Sequence, residues 1–160
     1  MTTVQVGIVM GSSSDRKTMD IAAQVLKDFG VSYFMTVASA HRTPEKVISI
    51  AKRAENEGWK LLIAGAGMAA HLAGFLAAHT VIPVVGVPMD ASPLNGIDAL
   101  LSTVQMPGGI PVACMGIGAA GAKNAALFAV EVLANDDPAL KESLRAYRRS
   151  LAQKIEDSTS

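Results

Sequence analysis

His41 and Arg42 sit side by side in the hexapeptide Ser39-Ala40-His41-Arg42-Thr43-Pro44. An imidazole titrates near neutrality and can give or take a proton. A guanidinium is a permanent cation whose planar fork matches phosphate or carboxylate. Adjacent, the two could clamp an anion and move a proton on a group beside it. The peptide follows an apolar stretch, Tyr33 to Ala38, that reads as a strand, and it opens a helix with Thr43 as N-cap and Pro44 at the first helical position. His41 is thereby placed at the carboxyl edge of a strand, where open α/β sheets take ligands. A plain helix cap with two polar neighbours fits the same six residues equally, so the rest of the chain must decide.

Two more loops carry glycines at a strand-to-helix junction. Gly11-Ser12-Ser13-Ser14-Asp15 opens a helix, and helix-terminal amides supplemented by serine hydroxyls suit phosphate. Asp15 would repel phosphate at contact and is expected to face something else, such as ribose hydroxyls; the plain alternative is that Ser13 or Ser14 only caps the helix. Gly65-Ala66-Gly67-Met68-Ala69-Ala70-His71 contains G-x-G-x-x-A, the dinucleotide pattern. Here it follows the third strand instead of the first, and the nearest later acid, Asp90, lies beyond the fourth. It reads better as a backbone wall that a flat ring can approach, with His71 on the first turn of the next helix touching ligand or satisfying a carbonyl. His79, late in that helix, reads as structural. A fourth segment, Ser102 to Pro111, is rich in turn formers and long enough to cover something. His41, His71 and His79 have no i, i+4 or H-x-H pairing, so no metal site is expected, and no GxxxxGK[ST] loop is present.

The elements that must hold these loops alternate along the chain. Val4 to Met10, Val31 to Ala38, Leu61 to Ala64, Val84 to Val87 and Val112 to Met115 read as strands. Between them fall helices: Met19 to Phe29 closed by Gly30, Val47 to Ala54 closed by Gly58, Ala69 to Ala78, Asn95 (as N-cap) to Gln105, and Ala120 to Leu133. Such alternation implies one parallel sheet with helices on both faces. A final helix from Pro138 to about Ile155 has Leu140, Leu144, Tyr147, Leu151 and Ile155 on one stripe, which is expected to lie on a neighbouring subunit. A single domain over 1–160 follows, with its core in 3–135 and an oligomerisation helix at 138–156.

Bulk properties narrow the partners. Lys plus Arg and Asp plus Glu balance at 14 each, so no global field draws nucleic acid or an anionic membrane. Leu61 to Met89 carries no Asp, Glu, Lys or Arg, but its glycines, prolines and two histidines break it into strand, turn, helix and strand, so no membrane span is expected. Met1-Thr2-Thr3 leads directly into the first strand, and the single Cys114, in the apolar run Val112 to Ile117, reads as a small core residue. A reducing cytoplasm is the expected setting.

Taken in order, GSSSD, SAHRTP, AGAGMAAHLAG, SPLNGIDALLSTVQMPGGIPV and GAAGAKNAAL resemble the N5-carboxyaminoimidazole ribonucleotide mutase family of purine biosynthesis, from about Val4 to Leu133. The resemblance implies a three-layer doubly wound α/β sheet of flavodoxin-like order, no metal or cofactor, a nucleotide substrate, and a compact homo-octamer with exchanged C-terminal helices. Residue by residue, it implies His41 as catalytic acid/base, Arg42 and Ser39 at the phosphate, and Ser12 and Asp15 as first-loop ligand contacts. Ala66, Gly67, Ala69, His71 and Leu72 would surround the aminoimidazole and the migrating CO2. Met68 stands where the family often has glycine, and Ala73 where proline often follows His-Leu. The animal-type carboxylases, which use free CO2, resemble this chain less. They carry Lys-Gly where Arg42-Thr43 stands and an Arg-Ser-Asn type third loop.

The implied reaction moves a carboxyl from the exocyclic nitrogen to C4 of the same ring, with no redox change and no ATP. It needs one group to protonate nitrogen as CO2 leaves and then remove the C4 proton, a pair of duties an imidazole can perform. A nucleotide-binding module without catalysis would keep the glycines and Ser12 but have no use for a proton carrier at 41. A flavin or NAD reductase would rest on the third loop alone and would show a bound chromophore.

Overall fold

The computed structural model describes residues 4–158, so Met1 to Thr3 and the last two residues lie outside the described part. Five strands form one wholly parallel sheet: β1 (Val6–Met10), β2 (Tyr33–Val37), β3 (Leu61–Ala66), β4 (Val84–Pro88) and β5 (Ala113–Cys114), in the order β2-β1-β3-β4-β5. This is the flavodoxin-like doubly wound arrangement, and it reverses direction between β1 and β3. The carboxyl ends of the strands flanking that reversal splay apart and leave a crevice.

Period-two alternation assigns each strand residue to a face. Val6, Ile8 and Met10 of β1 meet α1 (Arg16–Asp28) and α5 (Gly118–Leu133), whose small residues Ala122, Ala125, Ala126 and Ala129 let that helix lie close. Val9, Leu62, Ala64 and Val84 face the other way, onto α2 (Pro44–Asn56) and α3 (Leu72–Ala77). Beside these, α4 (Ile97–Val104) buries Ala99 and Thr103. Gly7 of β1 is required by close approach, because an added Cβ would stand 2.5 Å from the Trp59 ring and 2.6 Å from Leu62 Cδ2. Gly7→Ala is therefore expected to destabilise by about 1–3 kcal/mol, the usual cost of overpacking, measured by urea unfolding followed by Trp59 fluorescence.

Several boundaries differ from the sequence reading, each for a local reason. The helix expected at Ala69 begins only at Leu72, because Met68 has φ 56° and residues 69–71 are engaged in a turn. The α4 N-cap is Gly96 (φ 83°), not Asn95, which is itself left-handed at φ 51°; two such residues in succession turn the chain more tightly than one cap would. Strand β5 is two residues long, and Cys114 is half-buried there instead of in the core. Burial pushes its thiol up, which keeps it un-ionised and unreactive. Gly30 and Gly58, with φ 70° and 71°, close α1 and α2 as expected.

The stripe on α6 (Pro138–Ser158) divides in two. Leu140 and Leu144, expected on a neighbouring subunit, instead join this chain's core beneath α1 and α5, and half-buried Tyr147 meets Phe29 edge-on at 5.7 Å. Leu151 and Ile155 stay 39% and 68% exposed. Among the described residues no helix is long and apolar enough to cross a membrane. The charge-free stretch Leu61 to Met89 is β3, α3 and β4, with both strands buried in the sheet.

Candidate active site

The loops after β1, β2 and β3 converge at the sheet reversal around a cavity of about 560 Å³. All ten positions expected from sequence line it: Ser12, Asp15, Ser39, His41, Arg42, Ala66, Gly67, Ala69, His71 and Leu72. Gly11, Ser14, Ala40, Met68 and Ala91 line it as well. Ala91 follows β4, so the rule that ligands sit at carboxyl ends of strands could have included it. No residue of the segment 102–111 reaches the cavity. Met106 lies instead over α3, with its Sδ 3.0 Å from where a Cβ on Gly74 would stand.

In the first loop Ser12 is the cap, of a 3-10 turn (Ser13–Asp15) that leads into α1. Its Oγ accepts the Ser14 N–H at 3.3 Å, while the Asp15 carboxylate accepts the Ser12 N–H at 3.1 Å, a reciprocal capping box. Two of the amides expected to meet phosphate are therefore already bonded within the loop. Burial pushes the Asp15 carboxyl up; the Ser12 amide, the Ser14 hydroxyl and the Arg42 guanidinium pull against it.

The second loop is stapled by Thr43. This residue occupies the N-cap position of α2, yet its side chain bonds no helix amide. Its Oγ1 accepts the Ser39 N–H at 2.9 Å and donates to the Ser39 carbonyl at 3.2 Å. The Arg42 N–H and Nε–H both point to Ser39 Oγ, at 3.2 and 3.4 Å, and Arg42 donates to the Gly11 carbonyl at 3.2 Å. The guanidinium thus bridges loops one and two in the cavity wall.

The third loop brings a second imidazole to the first. His71 sits at the N-cap of α3, one position before the helix, and its Nδ1 lies 2.8 Å from His41 Nε2 with the rings near perpendicular at 80°. Two neutral imidazoles at that distance share one N–H, so one donates and the other accepts. This pairing was not legible in a sequence separation of thirty residues. His79 is elsewhere, with Nδ1 donating to the Phe75 carbonyl at 2.7 Å, a structural role as read from sequence.

Two unusual residues of this loop find local explanations. Met68 holds a positive φ, which costs a residue with a Cβ roughly 1–2 kcal/mol. Glycine would remove that strain, but an unfolded chain richer in conformations would offset part of the gain. The Met68 side chain is 58% exposed, so its bulk meets little protein. Ala73 falls in the first turn of α3, where a proline would cost no intrahelical hydrogen bond, so the alanine leaves the helix start unaltered.

The AIR carboxylase family model matches residues 5–154. The chain is 53% identical over 152 residues to the N5-carboxyaminoimidazole ribonucleotide mutase of Pyrococcus horikoshii, covering 95% of this chain and 85% of that protein. It is 50% identical over 155 residues to the enzyme of the same name from Haemophilus influenzae, covering 97% and 94%. The crystal structure of Treponema denticola PurE superposes with a TM-score of 0.87 at 35% identity, over 96% of this chain and 94% of that one. With the family model matched over residues 5–154 and near-complete coverage by these relatives, the chain belongs to the AIR carboxylase family.

Proposed function

We propose that this protein converts N5-carboxyaminoimidazole ribonucleotide to 4-carboxy-5-aminoimidazole ribonucleotide, an isomerase step of purine biosynthesis. The observation that carries the reading is the His41–His71 pair beside Arg42 in a cavity built from three strand-end loops. Arg42, Ser39 and Ser12 hold the phosphate; Asp15 has carboxylate lone pairs left for ribose hydroxyls. Ala66, Gly67, Ala69, His71 and Leu72 form the wall around the ring and the migrating CO2.

In the first step the C–N bond of the carbamate breaks, its electron pair passes to nitrogen, and protonated His41 delivers a proton there. The ring carbon C4, electron-rich as in an enamine, then attacks CO2. Neutral His41 removes the C4 proton, which restores the aromatic ring and returns the imidazole to its starting protonation state. The proton His41 gives first is balanced by the one it takes last, so the cycle needs no outside donor. His71 can accept from or donate to His41 Nε2, which keeps the proton carrier oriented between the two steps. Confinement of CO2 supplies the remaining advantage as an effective-concentration effect. An absorbance assay for interconversion of the two carboxylated ribonucleotides tests the reading, and an inactive wild-type protein refutes it.

Two structural features favour isomerisation over carboxylation with free CO2. Thr43 staples the second loop through a hydroxyl that glycine lacks, and Arg42 spans the Gly11 carbonyl with one arm of its guanidinium and Ser39 Oγ with Nε, a two-point reach that lysine cannot copy. Product made from carbamate substrate in buffer rich in labelled bicarbonate is therefore expected to carry little label at early times. Extensive early label would mean that CO2 exchanges with solvent and would assign the free-CO2 reaction.

The working form is a homo-oligomer, an octamer by family resemblance, in a reducing cytoplasm. Support on the molecule comes from exposed Leu151 and Ile155 at the end of α6 and from Leu94, Ile97, Leu101 and Val104, which are between 47% and 61% exposed about α4. Light scattering at micromolar concentration is expected to show a closed assembly, and truncation after Asp136 to lower both its size and its melting temperature. A full-length monomer would refute the assembly.

A further inference from the structure

Ser102 lies on α4, outside the cavity, yet its hydroxyl reaches the loop that makes the cavity's third wall. Its Oγ accepts the Ala70 N–H at 3.2 Å and stands 3.3 Å from the Met68 carbonyl, and it also bonds back to the Asp98 carbonyl of its own helix. One hydroxyl proton serves the two carbonyls, whereas acceptance from Ala70 is independent of that choice. Ala70 is 1% exposed, so its N–H has little access to water if the oxygen is removed. The anchor itself is firm, because α4 buries Ala99 and Thr103, and Asp98 accepts from the Ser92 hydroxyl at 2.8 Å. On its other side the loop is gripped at Gly67, where an added Cβ would stand 3.1 Å from the Ala91 Cβ. His71 follows immediately and meets His41.

We propose that Ser102 is a positioning residue for the reaction. It holds residues 68–70 in the shape that confines released CO2, and through them it keeps His71 against His41. The inference rests on the carboxyl-transfer reading above. The phosphate clamp belongs to the loops after β1 and β2 and does not depend on Ser102. Removing the hydroxyl leaves the Ala70 N–H without its acceptor and frees Met68 to relax from its left-handed conformation, which displaces the wall but not the clamp.

Wild type, Ser102→Ala, Ser102→Thr and Ser102→Cys are compared in the full-length protein for kcat, KM, melting temperature and early label from bicarbonate. Ser102→Ala is expected to keep its circular dichroism and a KM within about threefold, while kcat falls about 10–100-fold, the scale on which misplacement of an ångström counts. Early label in its product rises above that of wild type. Ser102→Thr, which keeps the hydroxyl, restores both, and Ser102→Cys, a weak hydrogen bonder of similar size, falls between. Should the alanine variant not fold, the cysteine variant carries the comparison, with wild-type kcat and label overturning the proposal. An alanine variant with wild-type kcat and label overturns it, as does a raised KM at unchanged kcat. Extensive early label from wild type itself refutes enclosed transfer only; the fall in kcat and its rescue by threonine still decide the role of Ser102.

Discussion

His41→Asn is expected to lower kcat by about 10²–10⁴-fold, the usual contribution of a positioned proton carrier. Asparagine fills similar space and still hydrogen bonds, but it cannot exchange a proton at neutral pH. Because Arg42, Ser39 and Ser12 are untouched, nucleotide affinity should stay within about tenfold, or about 1.4 kcal/mol. Steady-state kinetics and calorimetric titration with the product nucleotide separate the two quantities. A variant with near-wild-type kcat would remove His41 from the chemistry. His71→Asn offers a useful contrast. It leaves the proton carrier in place but takes away its hydrogen-bond partner at 2.8 Å, so kcat should fall less than for His41→Asn.

Arg42→Ala is expected to act on binding first. A hydrogen bond to a charged group is worth about 1.5–3 kcal/mol, so affinity should weaken roughly 10–150-fold. A second cause adds to the first, because the guanidinium also donates to the Gly11 carbonyl and to Ser39 Oγ, and its loss unties loop one from loop two. Arg42→Lys should recover only part of the loss, since an ammonium keeps the charge without the planar fork. Raising the salt concentration should narrow the gap between wild type and variant by screening the exposed charge. Equal affinity of wild type and Arg42→Ala would place the phosphate elsewhere in the cavity.

Much of this architecture is written in local sequence. Strand and helix periods, the glycines at 30 and 58, and the charge-free run through β3, α3 and β4 each express a preference that tertiary structure does not overrule. The strand-to-helix loops point to a ligand crevice at the strand ends, while the ten individual wall positions come from the resemblance to the mutase family, and the fold gathers all ten around one cavity.

What sequence could not supply are relations between residues far apart in the chain or competing for the same hydrogen bond. Thr43 has the composition of a cap, but its hydroxyl finds Ser39 nearer than any helix amide. The Ser12 and Ser14 amides look available for phosphate until the capping box takes them. On α6, period alone put five apolar residues on one stripe, while packing decided that Leu140 and Leu144 serve this chain's own core and that Tyr147 lies against Phe29 at the end of α1. The meeting of His41 with His71, and the grip of Ser102 on residues 68–70, depend on the distances between strand ends and on how α4 lies on the sheet. Local preference is a property of neighbours in sequence; which imidazole faces which is set by packing, and only the folded chain holds that information.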